Sequence, residues 1–228
     1  MMSAAHTDFL FIRHGETAWN REHRFQGQSN PPLNETGCAQ ARRLGERLAG
    51  RPADVLVSSD LLRAQQTAEP MRLAWALPLH CSKGLREQAF GALEGWTVPQ
   101  VQSTQPLLWA RWLEQDADFA LPEGGESQRQ FQARVLAEVA DLAQRFGPVR
   151  IAVVTHGGVL DMLWRAAHGL PLSGLRQCEI PNTGLNRLRW EDGRLSVLSW
   201  ADAAHVTDLP PLSPYSPATL SVGQTAGQ

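Results

Sequence analysis

The chain has 228 residues, 43% of them hydrophobic, and a formal charge of −2. That length and apolar content suit one globular domain with a full core. The near-neutral balance, with no block of Lys or Arg, excludes the electrostatic footprint of a nucleic-acid binder.

Other exclusions are local. Cys38, Cys81 and Cys178 are odd in number, widely spaced and without a CxxC pair. They read as reduced thiols in a reducing compartment. The N-terminus lacks a basic n-region, and its apolar run Phe9–Ile12 is far shorter than a signal segment. No stretch approaches the ~20 apolar residues of a membrane span. A cytoplasmic protein with no membrane association and no nucleic-acid partner is expected.

The first predicted element is the strand Phe9-Leu10-Phe11-Ile12, leading into Arg13-His14-Gly15. It does not alternate polar with apolar, so it suits burial on both faces, as in a parallel sheet. A helix over 37–49 carries Ala41, Leu44 and Leu48 on one face and stops at Gly50 and Pro52. Val55-Leu56-Val57 is a second strand, and Ser59 is a candidate N-cap for a helix over 60–74. Residues 104–118, with Leu108, Trp109, Trp112 and Leu113, form a further predicted helix. The clearest helix runs over 127–146: Ser127 and Gln130 make a capping box, Phe131, Val135, Val139, Leu142 and Phe146 make the apolar stripe, and Gly147-Pro148 ends it. Ile151-Ala152-Val153-Val154 repeats the first pattern, a buried strand followed by Thr155-His156-Gly157-Gly158. An apolar segment, Val159 to Trp164, can then form a helix. Residues 185–190 and 195–199, split by Glu191-Asp192-Gly193-Arg194, read as a hairpin. Strands alternating with helices make an α/β layer fold. The single domain is placed at 1–205, and the Pro-, Ser- and Gly-rich tail at 206–228 is expected to be mobile.

Two strand ends therefore carry His-Gly. Ligands of open α/β sheets bind beyond the carboxyl ends of the strands, and glycine lets backbone approach them closely. Gly157-Gly158 would open a helix whose bare N–H groups form an anion site. Arg13 and Arg63 add forked donors that match phosphate oxygens.

Five blocks in order then resemble the histidine phosphatase superfamily, in its phosphoglycerate mutase-like branch. They are Arg13-His14-Gly15-Glu16-Thr17 with Trp19-Asn20; Phe25-Gln26-Gly27 with Pro32-Leu33, Gly37 and Gln40-Ala41; Ser58 to Ala68 around Arg63; Leu85-Arg86-Glu87 with Phe90-Gly91 and Glu94-Gly95; and Val154 to Gly158, preceded by Gly124-Gly125-Glu126-Ser127. The similarity spans roughly residues 8–200. It implies a three-layer α/β/α sandwich around a mostly parallel sheet. It also implies His14 as the nucleophile, Glu87 as proton donor and base, and Arg13, Arg63 and His156 around the phosphoryl group. Asn20, Gln26, Gly27 and Gly157 would bind phosphate, and Glu16 would hold structure or orient His14. No metal or other cofactor is called for, since His6, His23, His80, His168 and His205 do not fall at metal-ligand spacing.

The expected activity is hydrolysis of a small phosphate ester by a monomer or homodimer. Phosphoglycerate mutases proper carry a Lys-bearing segment after the acid motif and an Arg pair beyond it. Here Glu87 to Thr97 and Val98 to Ala110 contain no Lys or Arg after the glutamate, and Arg111 is single. Water is therefore the expected acceptor; mutase activity and a non-catalytic phosphate-binding protein are the alternatives. Asn30, Asn34 and Leu93 depart from the usual Asp, Thr and Trp. Trp96, Trp109 and Trp112 either shape a lid or pack as core. Sugar phosphates, phosphoglycerate derivatives, ribazole phosphate and phosphoserine all stay open as substrates.

Overall fold

A computed structural model describes residues 6–210. Four parallel strands and an antiparallel pair form one six-stranded sheet. In chain order the elements are β1 (Thr7–Arg13), α1 (Ala18–Arg21), α2 (Glu35–Leu48), β2 (Val55–Ser59), α3 (Leu62–Trp75), β3 (Leu79–Ser82), α4 (Val98–Thr104), α5 (Pro106–Leu113), α6 (Gln128–Phe146), β4 (Arg150–Thr155), α7 (Gly157–His168), β5 (Leu185–Glu191) and β6 (Arg194–Asp202). The strand order is β3-β2-β4-β1-β5-β6. β1, β2, β3 and β4 run parallel, and β5 and β6 add antiparallel to β1.

Strand periodicity divides the core in two. Phe9, Phe11, Ile151 and Val153 face Phe131, Val135 and Val139 of α6 and Val159, Leu160 and Leu163 of α7. Ile12, Leu56, Ala152 and Val154 face the other way, onto Leu44 and Leu48 of α2 and Ala64, Ala68 and Met71 of α3. The result is the expected three-layer sandwich. Both cores need the central strands apolar on each face, which is why their sequences do not alternate.

A third cluster lies apart from these. Leu93, Val98, Val101, Trp109 and Leu121 pack with Phe25, Phe90, Trp96 and Trp112. Trp109 and Trp112 stack at 5.1 Å, and Phe25 meets Trp112 edge-on at 5.7 Å. The tryptophans therefore act as core here, with Leu93 buried among them.

Local signals place most elements. Ser127 caps α6 through the Gln130 N–H, and the Gln130 side chain returns to the Ser127 N–H. Asn34 takes the capping role of the expected Thr by accepting from Gly37 N at 2.8 Å, and Asn30 Oδ1 accepts from Leu62 N at 2.6 Å. The hairpin turns through Asp192 and Gly193, both at positive φ.

Three readings change. The helix expected over 104–118 is two helices, 98–104 and 106–113, because Pro106 cannot continue α4 and starts α5 instead. The short, half-polar β3 had no apolar pattern to announce it. Ser59 is not an N-cap, since α3 begins after Leu61. The expected tail boundary falls within a helical turn, Ala204–Val206, and beyond it Asp208 pairs with Arg43 at 2.5 Å. The rest of that tail lies outside the described residues.

Leu44 is fully buried between α2 and the sheet. Leu44→Ala is expected to lower the unfolding free energy by about 2–5 kcal/mol in urea titration, from lost burial plus the residual cavity.

Candidate active site

The strand order sets the site. β2, β4 and β1 are adjacent, so the residues following their carboxyl ends meet: Ser59, then His156, then His14. His156 Nε2 is 2.8 Å from Ser59 Oγ, and the two imidazole centroids are 5.2 Å apart.

His14 is fixed at both ends. Its backbone N–H extends the β1–β4 ladder by donating to Thr155 O at 2.8 Å, and its carbonyl accepts from Asn182 Nδ2 at 2.8 Å. The ring Nδ1 is 2.7 Å from the Gly15 carbonyl. A carbonyl can only accept, so Nδ1 carries the proton. Burial, and then the charges of Arg63 and Arg13, hold the ring's pKa well below its ordinary value. The ring is therefore neutral near pH 7, and its Nε2 has a lone pair. Gly15 is required beside it, because a Cβ there would stand 2.8 Å from the Gly37 carbonyl.

His156 is the buried residue preceding α7, and its Nδ1 has no hydrogen-bond partner among the described residues. Burial, and then the neighbouring charges of Arg63 and Arg13, push its pKa well down. A protonated His156 requires the negative charge of a phosphate to outweigh those cations.

Both arginines are anchored by carbonyls. Arg13 Nη1 donates to Ile180 O at 2.7 Å. Arg63, fully buried, donates from Nη1 to Ser29 O at 2.8 Å and from Nη2 to Gly27 O at 2.9 Å. Neither Nε, although buried, has an acceptor among the described residues. Burial lowers both pKa values to about 10, so both guanidiniums stay charged.

Glu87 comes from the loop after β3. Its Oε2 accepts from Gly158 N at 2.9 Å, and its Oε1 accepts from Gln88 N at 2.9 Å. A Cβ on Gly158 would lie 2.0 Å from Glu87 Oε1, so a side chain there would displace the Glu87 carboxyl from this position. Arg134 of α6 holds this loop: it clamps Glu126 with two bonds of 2.7 Å and donates to the carbonyls of Gly84, Arg86 and Glu87 at 2.9–3.2 Å. Arg86 ties the same loop to Asp60 through two 2.6 Å bonds.

The structure thus brings His14, His156, Arg13, Arg63 and Glu87 together, with Gly157 at the first turn of α7. The other expected phosphate ligands have further duties. Asn20 completes the cap of α1, its Oδ1 accepting from Thr17 N and Oγ1 at 3.0 and 3.1 Å. Gln26 Oε1 accepts from Thr17 Oγ1 at 3.0 Å. An anion would have to be met by the amide NH2 groups of these two side chains. Gly27 offers its carbonyl to Arg63. Glu16 accepts from Arg21 and from Asn34 Nδ2 and has no recorded bond to His14, so of its two expected roles it fills the structural one. Among the described residues, no three His, Cys, Asp or Glu side chains cluster as a metal site would need.

Ser59, Asn182 and Arg134 escaped the sequence reading. Ser59 resembled an ordinary helix cap. Asn182 and Arg134 act on residues 168 and about 50 positions away, contacts that no local pattern encodes.

Comparison with known proteins places the fold in a family. The sequence profile of the histidine phosphatase superfamily, branch 1, matches residues 9–203. The chain belongs to that superfamily. It is 32% identical over 209 residues to a metal-independent phosphoserine phosphatase of Arabidopsis thaliana, covering 89% of this chain and 84% of the relative. It is also 32% identical over 206 residues to "Probable phosphoglycerate mutase GpmB" of Salmonella paratyphi C (strain RKS4594), covering 88% and 95%. The solved structure of Bacillus stearothermophilus YhfR superimposes with a TM-score of 0.80 at 31% identity, covering 88% and 99%.

In the unfolded chain histidines titrate near pH 6.5, whereas His14 and His156 stay neutral in the fold to lower pH. Between those values the unfolded state binds more protons, so these residues contribute stability that is lost as pH falls below about 6.5. Calorimetry is expected to give a lower Tm at pH 5.5 than at pH 7.5, with a smaller drop in His156→Gln.

Proposed function

We propose that the chain hydrolyses a small phosphate monoester through a phosphohistidine on His14. The observation that carries this reading is the tautomer of His14. With Nδ1–H donated to Gly15, the Nε2 lone pair is the group left to react, beside two fixed guanidiniums and opposite an anchored carboxyl.

Nε2 attacks phosphorus and the ester P–O bond breaks. Glu87, as the carboxylic acid, gives its proton to the departing oxygen. Arg13, Arg63, His156 and the Gly157 N–H stabilise the charge on the equatorial oxygens. Asn20 and Gln26 bind phosphate through their amide groups, and Gly27 acts by holding Arg63. In the second half, the Glu87 carboxylate takes a proton from water as that water attacks. The P–N bond breaks, inorganic phosphate leaves, and His14 and Glu87 return to their starting states.

The alternative acceptor is a hydroxyl of the same molecule, as in a mutase, and a mutase name does occur among the relatives. Two features favour water. The stretch from Gln88 to Ala110 has no Lys or Arg. Arg111 is engaged by Glu114 and, at 2.6 Å, by Asp116. Three free cysteines suit a cytoplasmic enzyme, working as a monomer or homodimer.

The test follows inorganic phosphate release from a panel of phosphate esters in parallel with isomerisation of 3-phosphoglycerate. Release should dominate; strong isomerisation with little phosphate would replace the hydrolase reading with the mutase. His14→Ala is expected to lower turnover by about 10³-fold or more, together with loss of the acid-labile phosphoenzyme. Full activity in that variant would point to a different nucleophile. Glu87→Gln should lower kcat by roughly 10²–10⁴-fold for esters with poor leaving groups, and less for 4-nitrophenyl phosphate, whose leaving oxygen needs little protonation.

A further inference from the structure

The segment after Glu87 lacks a cation, but one reaches the site from the opposite side. After α7 the chain turns back along residues 169–182, and a buried residue of α7 dictates its path. Arg165 Nε bonds Asp161 Oδ2 at 3.0 Å, while its terminal nitrogens donate to the carbonyls of Pro171, Ser173, Gly174 and Leu175 at 2.5–3.2 Å. One guanidinium thus stitches down a surface loop. The next residue in that loop is Arg176.

Arg176 Nη2 lies 3.9 Å from the point that a Cβ on Gly157 would occupy, and Arg13 Nε lies 3.6 Å from the same point. Two guanidiniums therefore border the first turn of α7 together. Their repulsion is real: after burial, the charge of Arg176 is the largest influence lowering the pKa of Arg13. Among the described residues, the carboxylate within 4.0 Å of the Arg176 guanidinium is that of Asp161. The Arg176 Nε stands 3.7 Å from Asp161 Oδ1, beyond hydrogen-bond length, and that oxygen has no donor of its own. The Arg176 side chain is 45% exposed, so it can meet a ligand entering from solvent.

We infer that Arg176 is a specificity-determining residue that binds a carboxylate on the substrate, so that the substrate class is a small phosphorylated carboxylic acid. This rests on the hydrolase reading of the site. The phosphoryl group takes Arg13 and Arg63, and the neighbouring guanidinium of Arg176 meets the rest of the molecule. Its planar fork matches a carboxylate bidentately. Asp161 already offsets part of its charge, which suits a monoanion and disfavours a second phosphate dianion. A phosphorylated alcohol or neutral sugar would leave Arg176 without an anion of its own.

Two matched pairs differ only in this group: 3-phosphoglycerate against glycerol 3-phosphate, and O-phosphoserine against O-phosphoethanolamine. The wild-type kcat/KM should favour the acid of at least one pair tenfold or more. Arg176→Gln should shrink that ratio about tenfold, chiefly through KM, and Arg176→Lys should restore part of it. No wild-type preference in either pair, or a preference untouched by Arg176→Gln, would overturn the assignment. A wild-type protein that released phosphate from no ester would overturn the hydrolase reading instead. Calorimetric binding of the same pairs to wild type and Arg176→Gln then decides the subsite. Tighter binding of the acid that disappears in the variant supports it, and equal affinities sink it.

Discussion

The structure depends on positive charge that is buried without a carboxylate pressed against it. Arg63 is sealed from solvent, and Arg13 has its Nε inside. Taking a guanidinium out of water costs several kcal/mol even after relaxation. Backbone carbonyls offset part of that cost, and they do so from fixed positions. The carbonyls that serve Arg63 belong to Gly27 and Ser29. Their loop is itself held by Glu94, whose carboxylate accepts from Gln28 N, Ser29 N and Ser29 Oγ at 2.7–2.9 Å. The third apolar cluster, around Trp109 and Trp112, packs Phe25, just before that loop, against Phe90 and the Glu94 turn. A packing unit with no chemistry of its own thus borders the loop that anchors the Arg63 guanidinium.

The same charge governs the histidines. Buried imidazoles beside two guanidiniums cannot readily protonate, so both rings are held neutral by their surroundings. For His14, the nucleophile proposed above, this leaves the Nε2 lone pair available. For His156 it makes the ring responsive to phosphate, because a dianion reverses the field that keeps it neutral. Glu87 stands apart from this logic. Backbone N–H groups of Gly158 and Gln88 hold its carboxyl, and Arg134 holds the loop beneath it. The Glu87 carboxyl is placed by a helix of one outer layer of the sandwich.

Arg165 and Arg134 illustrate a recurring device. Each is a helical arginine that pairs with one carboxylate and gives its remaining donors to the carbonyls of a nearby loop. Arg134 stabilises the loop bearing Glu87, and Arg165 stabilises the loop bearing Arg176. Carbonyls of loops that present polar side chains are thereby held by donors fixed on a helix. Their hydrogen bonds come from side chains whose sequence positions carry no periodic signal.

By itself the sequence determined the layer fold, the buried character of β1, β2 and β4, the capping of α6 and the β5–β6 hairpin. Those features rest on local chemistry: apolar runs, N-caps and turn residues. Its motifs also singled out His14, Arg13, Arg63, Glu87 and His156, because each sits at a strand end or in a block of matching residues. Only the tertiary structure decided the rest. It showed that the helix expected over 104–118 divides at Pro106, and that Ser59 meets His156 because β2 lies beside β4. It fixed the His14 tautomer through Gly15, and it brought Arg176 next to Arg13 across the first turn of α7. These are relations between residues distant in the chain. Distance in sequence carries no information about them until the sheet order is set, and the sheet order is set by packing the two apolar faces at once.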